Sequence, residues 1–363
     1  MLFNVRPGLL QSSVFNGLNC FLREVLLAAL DGRDPDENSL PSGLQEALTD
    51  NEKTMELVFY LAASVGSLDP LTQVDLRAAL QNDLDPCKLL TDKSLTLPPI
   101  PDEIFATLKA LAVHLYLGAA KYAGVETTCG ECIDDHYARF RADAAPGNGN
   151  VCCVCGTEYL AAIRSRVDDT EQWRGPYDHL LAKDEYPFYG VHPQNLLPIC
   201  HTCNSKAKLV KDLLHDPAGL RRFSFNPWSE VASTEEVIVI IDVAGITPVV
   251  TVEFTSDDPI RQEKLNTWDA VYQIKTRVEG EFLALREKVK EDVSINSEQA
   301  FVKELYEKAT AKGDAARLTP FNHWRALVFH AVLAMDAGAR EALRISMNIT
   351  QAEKQRLDTT FFK

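Results

Sequence analysis

Apolar residues recur at intervals of three and four over residues 18–30 and again over 55–68, the spacing that places them on one face of a helix. A third such stretch, 70–80, opens with Pro70, a residue well suited to a first helical turn. The run Leu97-Pro98-Pro99-Ile100-Pro101 breaks the chain, and a long helix is predicted over 102–123 with Gly124 as its stop. The loop signal Ala145-Pro146-Gly147-Asn148-Gly149-Asn150 separates this helical part from the centre of the chain. Short strand-like pieces then fall at 177–181 and 196–199, before a helix predicted over 201–214 and stopped by Asp216-Pro217-Ala218-Gly219. The β-branched runs 237–243 and 249–254, joined through Ala244-Gly245-Ile246-Thr247, predict a hairpin. Beyond it, Leu265, Trp268, Val271, Tyr272 and Ile274 form one stripe in a helical stretch over 260–289, and two more helices are expected over 297–312 and 320–335.

The pattern predicts an α+β fold, predominantly α-helical, in three parts. These are a helical N-terminal domain (1–145), a small central domain (150–222), and a β-hairpin plus helical C-terminal region (223–363). At 363 residues the chain exceeds a typical single domain. The first 13 residues lack the basic and apolar regions of a signal peptide. The longest apolar candidate, 104–120, is interrupted by Lys109 and His114 and reads as a core helix, so no membrane partner is expected. Nine cysteines, an odd number set mostly in C-x-x-C pairs, point to metal ligation in a reducing cytoplasm rather than to disulfides.

The centre of the chain carries the chemistry. Cys152 and Cys155 form one C-x-x-C knuckle and Cys200 and Cys203 another, the signature of a tetrahedral structural zinc site. Between them lie Asp178-His179 and Asn195, and Asn204 follows the fourth cysteine directly. A zinc ribbon kept for stability alone needs none of these. The arrangement resembles the HNH endonuclease family, whose small ββα-metal unit carries C-x-x-C, then D-H, then N, then C-x-x-C-[HN]-x-x-K. Here the last position is Asn204, the HNN variant, and the trailing lysine, Lys206, comes one residue early. The resemblance spans about one sixth of the chain. It implies a zinc-stapled nuclease unit inserted between helical regions, acting as a metal-dependent endonuclease.

In that reading His179 is the general base, since an unperturbed imidazole accepts a proton near pH 7. Asp178 and the amide oxygen of Asn204 are the hard ligands for a catalytic Mg²⁺ or Mn²⁺ ion. Neighbours on a strand point to opposite faces, so Asp178 and His179 can serve different partners. Asn195 takes the place that orients the loop and the histidine ring in the family. Lys206, Lys208 and Lys211, on the predicted helix, are candidate contacts to backbone phosphates. Plainer readings stand beside these: buried free thiols, a core histidine, a turn residue at Asn195, a helix cap at Asn204 and a solvated lysine face. A third pair, Cys129 and Cys132, with His136 one turn beyond, offers either a second metal site or an ordinary helix start.

Charge shapes the partner expectation. Lys+Arg and Asp+Glu number 11 and 21 in residues 1–151, 9 and 9 in 152–222, and 17 and 22 in 223–363. The net charge of −15 therefore lies wholly outside the central unit, and an acidic body repels a polyanion. Either a protein partner, such as an ATPase or sensor subunit, or self-association supplies affinity for nucleic acid, or only the local field matters. DNA is favoured over RNA by family habit alone. Helical flanks of this kind, by analogy, suit a bacterial restriction or antiphage system. The competing function is a catalytically silent, zinc-stabilised docking module for nucleic acid or protein.

Overall fold

Ser12 starts the first helix because its hydroxyl accepts the Phe15 amide hydrogen, and Gly32 ends it in the left-handed region at φ 63°. Between them α1 (Ser13–Asp31) buries Val14, Phe15, Leu18, Phe21, Leu22, Val25 and Leu26, a stripe at helical spacing. Each large apolar side chain so buried contributes about 1.5–3 kcal/mol by leaving water. The structure, a computed structural model, describes residues 1–5, 12–81, 85–142, 150–164, 167, 171–243, 248–310 and 316–347.

The N-terminal part continues as α2 (Leu44–Thr49), α3 (Glu52–Gly66), α4 (Pro70–Gln81), α5 (Pro86–Thr91), α6 (Asp102–Leu117), α7 (Ala123–Cys129) and α8 (Ile133–Ala142). Helix α1 packs on α3, α4, α6 and α7. By length and composition alone, α1 and the stretch Asp102–Lys121 could cross a membrane. Both bury an apolar face in the core. The helix expected over 102–123 is corrected. It ends at Leu117, passes through a 3₁₀ turn at Ala119–Lys121, and restarts as α7. Gly124 thus lies inside a helix, and its missing Cβ serves contact rather than termination: an added Cβ would sit 3.0 Å from that of Ala47 on α2.

In the centre, β1 (Tyr177–His179) and β2 (Leu196–Pro198) pair antiparallel, with Asp178 opposite Leu197. The helix expected over 201–214 is shorter. After His201 and Thr202 it becomes a π-helical turn, Cys203–Lys208, and stops where Leu209 takes φ 50°. A second antiparallel pair, β3 (Val237–Asp242) and β4 (Val249–Phe254), matches the expected hairpin. Val237, Val239, Val250, Val252 and Phe254 face inward, where Phe254 stacks on Trp268 at 4.8 Å. The predicted hairpin turn 244–247, the loop residues 145–149 and the helix end at 311–312 lie outside the described residues.

The C-terminal stretch expected as one helix over 260–289 is three: α9 (Pro259–Tyr272), α10 (Ile274–Glu281) and α11 (Leu285–Asp292). Gln273 makes the first break by adopting φ 53° and ψ 47°. Helices α12 (Glu298–Ala309), α13 (Asn322–Ala334) and α14 (Ala337–Ser346) complete the described chain, with α13 packed on β3. The fold is thus α+β and mostly helical, with two small sheets. One hydrophobic core runs from Met1 to Met347 through all three sequence regions. A central segment of some seventy residues buries too little surface to be strongly stable alone, and it shares the core of its neighbours.

Candidate functional site

The first knuckle, Cys152 to Cys155, is closed by backbone geometry. The Cys152 amide donates to the Glu158 carbonyl at 2.9 Å, and the Gly156 amide to the Cys152 carbonyl at 2.9 Å. Gly156 holds φ 68°, and a Cβ there would collide with Leu2 at 2.4 Å. The second knuckle follows β2 and enters the π-helical turn. Together they bring the Sγ atoms of Cys152, Cys155, Cys200 and Cys203 within 4.8 Å of one another, all four buried. Amide hydrogens point at the sulfurs: Cys200 N to Cys152 Sγ, Cys203 N to Cys200 Sγ and Thr157 N to Cys155 Sγ, each at 3.4 Å. Four converging thiols with donors around them form a cluster able to hold a metal ion.

Arg277 of α10 completes this cluster, and nothing in the motif announces it. Its guanidinium donates to Cys203 Sγ at 3.1 Å, to Cys155 Sγ at 3.5 Å and to Thr157 Oγ1 at 2.7 Å. Burial pushes the Cys152 and Cys203 thiols up, and hydrogen bonds with Cys152 and Cys155 push Cys200 up. Cys155 goes the other way. Against its burial, hydrogen bonds from the other three thiols and the Arg277 charge hold it well below the ordinary thiol range. Arg277→Met is therefore expected to weaken retention of a zinc ion loaded into this cluster by about 10–100-fold, read as the rate of transfer to a chromophoric chelator. An unchanged rate would show that the guanidinium only fills space.

The same knuckle ties the termini to the centre. The Cys153 carbonyl accepts the Leu2 and Phe3 amides at 3.1 and 3.0 Å. Val154 and Cys155 carbonyls accept the indoles of Trp268 and Trp324 at 3.0 and 2.8 Å. The Gly156 carbonyl accepts the Phe321 amide at 2.8 Å. Four successive carbonyls are thus satisfied by the N-terminus, α9 and the start of α13. A buried indole seeks an acceptor, which was the one sequence signal available.

Beside the knuckles is a cavity of about 300 Å³ whose walls include Asp178, His179, Asn204 and Lys208. His179 sends its Nε2 to the Gly190 carbonyl at 3.0 Å, so Nε2 carries the proton and Nδ1 is left as the acceptor of the neutral ring. Tyr116 of α6 meets the ring edge-on at 4.5 Å. Burial first, then the charge of Lys183, lowers the imidazole from its usual value to about 3. Asn195 is fully buried behind this wall. Its Oδ1 accepts the Leu181 amide at 2.7 Å, and its Nδ2 donates to the Leu181 and Tyr189 carbonyls, both at 2.9 Å. That amide fixes both ends of the loop whose next residue, Gly190, holds His179. Removing it strands a buried N–H and two carbonyls, so Asn195→Ala should cost about 2–4 kcal/mol in denaturant unfolding. A loss under about 1 kcal/mol would mean that the loop holds itself.

No family model, curated protein or solved structure matches this chain.

Asp178 and His179 line one cavity yet keep different partners. Asp178 is buried, accepting the Tyr272 hydroxyl of α9 on Oδ2 at 2.7 Å and the Lys208 ammonium on Oδ1. The expectation for Lys208 is corrected. Its side chain is buried, and its remaining protons go to the His179 and Leu180 carbonyls. Lys211 donates to the Ala270 and Val271 carbonyls at the end of α9, at 3.0 and 3.4 Å. Of the three lysines only Lys206 presents an exposed position with no such commitment among the described contacts. Asn204 is half-buried, with a long contact from Nδ2 to Ser205 Oγ at 3.4 Å.

The third cysteine pair does not gather His136, which turns into the core and bonds the Tyr177 hydroxyl through Nδ1 at 2.6 Å. Cys132 lies instead near Glu126 and Asp135 at the surface. Glu131, between the two cysteines, accepts from the Ser13 amide at 3.0 Å and from Arg139, and so supports the start of α1.

Proposed function

We propose that the protein is an endonuclease of the HNH type, hydrolysing phosphodiester bonds of nucleic acid in the cavity walled by Asp178, His179 and Asn204. The observation that carries this reading is the bond from His179 Nε2 to the Gly190 carbonyl. It fixes Nδ1 as the proton acceptor of a cavity-lining ring, held by Tyr116 and by the Asn195-braced loop. A base this weak in the free protein gains basicity when a phosphate anion enters, because a nearby negative charge favours the imidazolium. Lys183, also on the wall, supplies positive charge toward a phosphate.

The four-cysteine cluster fits zinc: four soft thiols, mutually close and surrounded by N–H donors, suit a tetrahedral ion kept for structure. The catalytic Mg²⁺ or Mn²⁺ ion implied by the resemblance fits less simply. Asp178 and Asn204 are hard oxygen donors on one cavity, but the Lys208 ammonium already neutralises Asp178. An ion on that carboxylate and the seated ammonium do not fit together.

The acidic flanks favour a working form in which a partner protein or a second copy brings the nucleic acid to the site, as in a bacterial defence complex acting in the cytoplasm. DNA is the expected substrate, nicked by one copy and severed by two acting together. Supercoiled plasmid, single-stranded DNA and RNA are incubated with the purified chain and Mg²⁺ or Mn²⁺, and products are examined for 5′-phosphate ends. Cleavage of any of the three supports the reading and names the substrate. Failure to cut all three, by a zinc-loaded and folded protein, favours the docking module, for which the lysine-occupied Asp178 already speaks.

A further inference from the structure

Lys208 is a buried cation on this cavity wall that the motif does not explain. Its ammonium has three protons and three acceptors, Asp178 Oδ1 and the carbonyls of His179 and Leu180. Asp178 is held from the other side by Tyr272. The lysine arrives on the last residue of the π-helical turn Cys203–Lys208, and the residue after it, Leu209, is strained at φ 50° and ψ −117°. A π-helical turn followed by a positive-φ leucine is an uncommon local arrangement, and sequence patterning over 201–214 favours an ordinary α-helix. At the mouth of the cavity Leu209 and Val210 are 62% and 85% exposed, so they add little packing to hold the turn in place.

We propose that Lys208 is a displaceable cation: its ammonium and a divalent metal ion are alternative partners of Asp178. Release of the turn, with Leu209 returning to helical backbone, exchanges one for the other. The inference rests on the reading of Asp178 and Asn204 as the ion-binding pair of a nuclease. Two positive charges sharing one buried carboxylate repel, so the ion binds only as the lysine leaves. Lys208 acts through Asp178 and is a positioning residue. It sets the concentration of ion at which the site becomes competent, and it protects a buried carboxylate until then. The other charged groups on the cavity wall are Lys183, Asp184 and Glu185, and Asp184 is itself paired with Lys109 and Lys183.

The test uses the full zinc-loaded chain with Mn²⁺ as probe. Bound Mn²⁺ is counted from the loss of the free-ion electron paramagnetic resonance signal in wild type, Lys208→Met and Lys208→Gln, with Asp178→Asn as control. The expected result is about tenfold or more tighter Mn²⁺ binding in the lysine variants, and none at this site without Asp178. Lys208→Gln keeps a donor for Asp178 should the methionine variant fail to fold. In wild type, amine-reactive labelling mapped by mass spectrometry should find Lys208 protected without Mn²⁺ and modified with it. Lysine variants that are folded yet bind Mn²⁺ no tighter, or wild type that binds Mn²⁺ while Lys208 stays protected, would overturn the proposal. The nuclease reading fails separately: Mn²⁺ that frees Lys208 in a protein cutting no nucleic acid keeps the exchange and removes the activity. Cleavage that depends on His179 while Lys208 stays protected does the reverse.

Discussion

Cys200→Ser is expected to cost the protein its cooperative fold. Structural zinc supplies an apparent ~10–16 kcal/mol in small zinc domains, as much as a whole domain's usual margin of about 5–15 kcal/mol. The loss should spread, because the first knuckle's carbonyls hold Leu2, Phe3, Trp268, Trp324 and Phe321 from both ends of the chain. Zinc content should fall from one ion per chain to near none, and the thermal unfolding transition should broaden or vanish. A strong chelator applied to wild type should do the same slowly. A variant that melts within a few degrees of wild type would show that the four thiols are ordinary core residues.

His179→Ala is expected to lower cleavage by about 10²–10⁴-fold, the usual worth of a positioned general base. The fold should survive. The change deletes one hydrogen bond to Gly190 and an edge contact with Tyr116, about 1–2 kcal/mol together. Zinc content should be unchanged, which separates this variant from the cysteine one. A variant that keeps its zinc and its melting temperature and still cuts would remove His179 from the chemistry.

Much of the architecture was legible because local signals and burial agree. The α1 stripe and the β3–β4 hairpin follow from side-chain period and β-branched runs, while the Ser12 cap starts α1 five residues before the expected stretch. Sequence patterning missed the places where a distant side chain overrides local preference. Periodicity continued the helix past Lys208, but the buried carboxylate of Asp178 draws that lysine inward and the turn ends there. It ran a single helix through Gln273, where the chain instead breaks and restarts, sending Arg277 to the thiols. It ended a helix at Gly124, which the close passage of Ala47 places inside one.

The candidate site divides in the same way. Cysteine spacing and the order Asp178, His179, Asn195, Asn204 single out four residues, of which Asp178, His179 and Asn204 line one cavity and Asn195 lies behind its wall. Tyr116, Tyr272 and Arg277 were invisible beforehand, because each reaches the unit from a separate helix. Its place in a lysine-rich stretch predicts a surface cation at Lys208, and tertiary structure buries it. Sequence spacing offers His136 as a ligand beside the third cysteine pair, and its ring bonds Tyr177 instead.

The most direct test compares plasmid nicking by wild type and His179→Ala, prepared together, matched for zinc content, and supplied first with Mg²⁺ and then with Mn²⁺. Nicking by the wild type alone is the predicted result and makes the cavity a hydrolytic centre with His179 as its base. Equal nicking by both proteins, or none by either across the full range of ion concentrations, contradicts it.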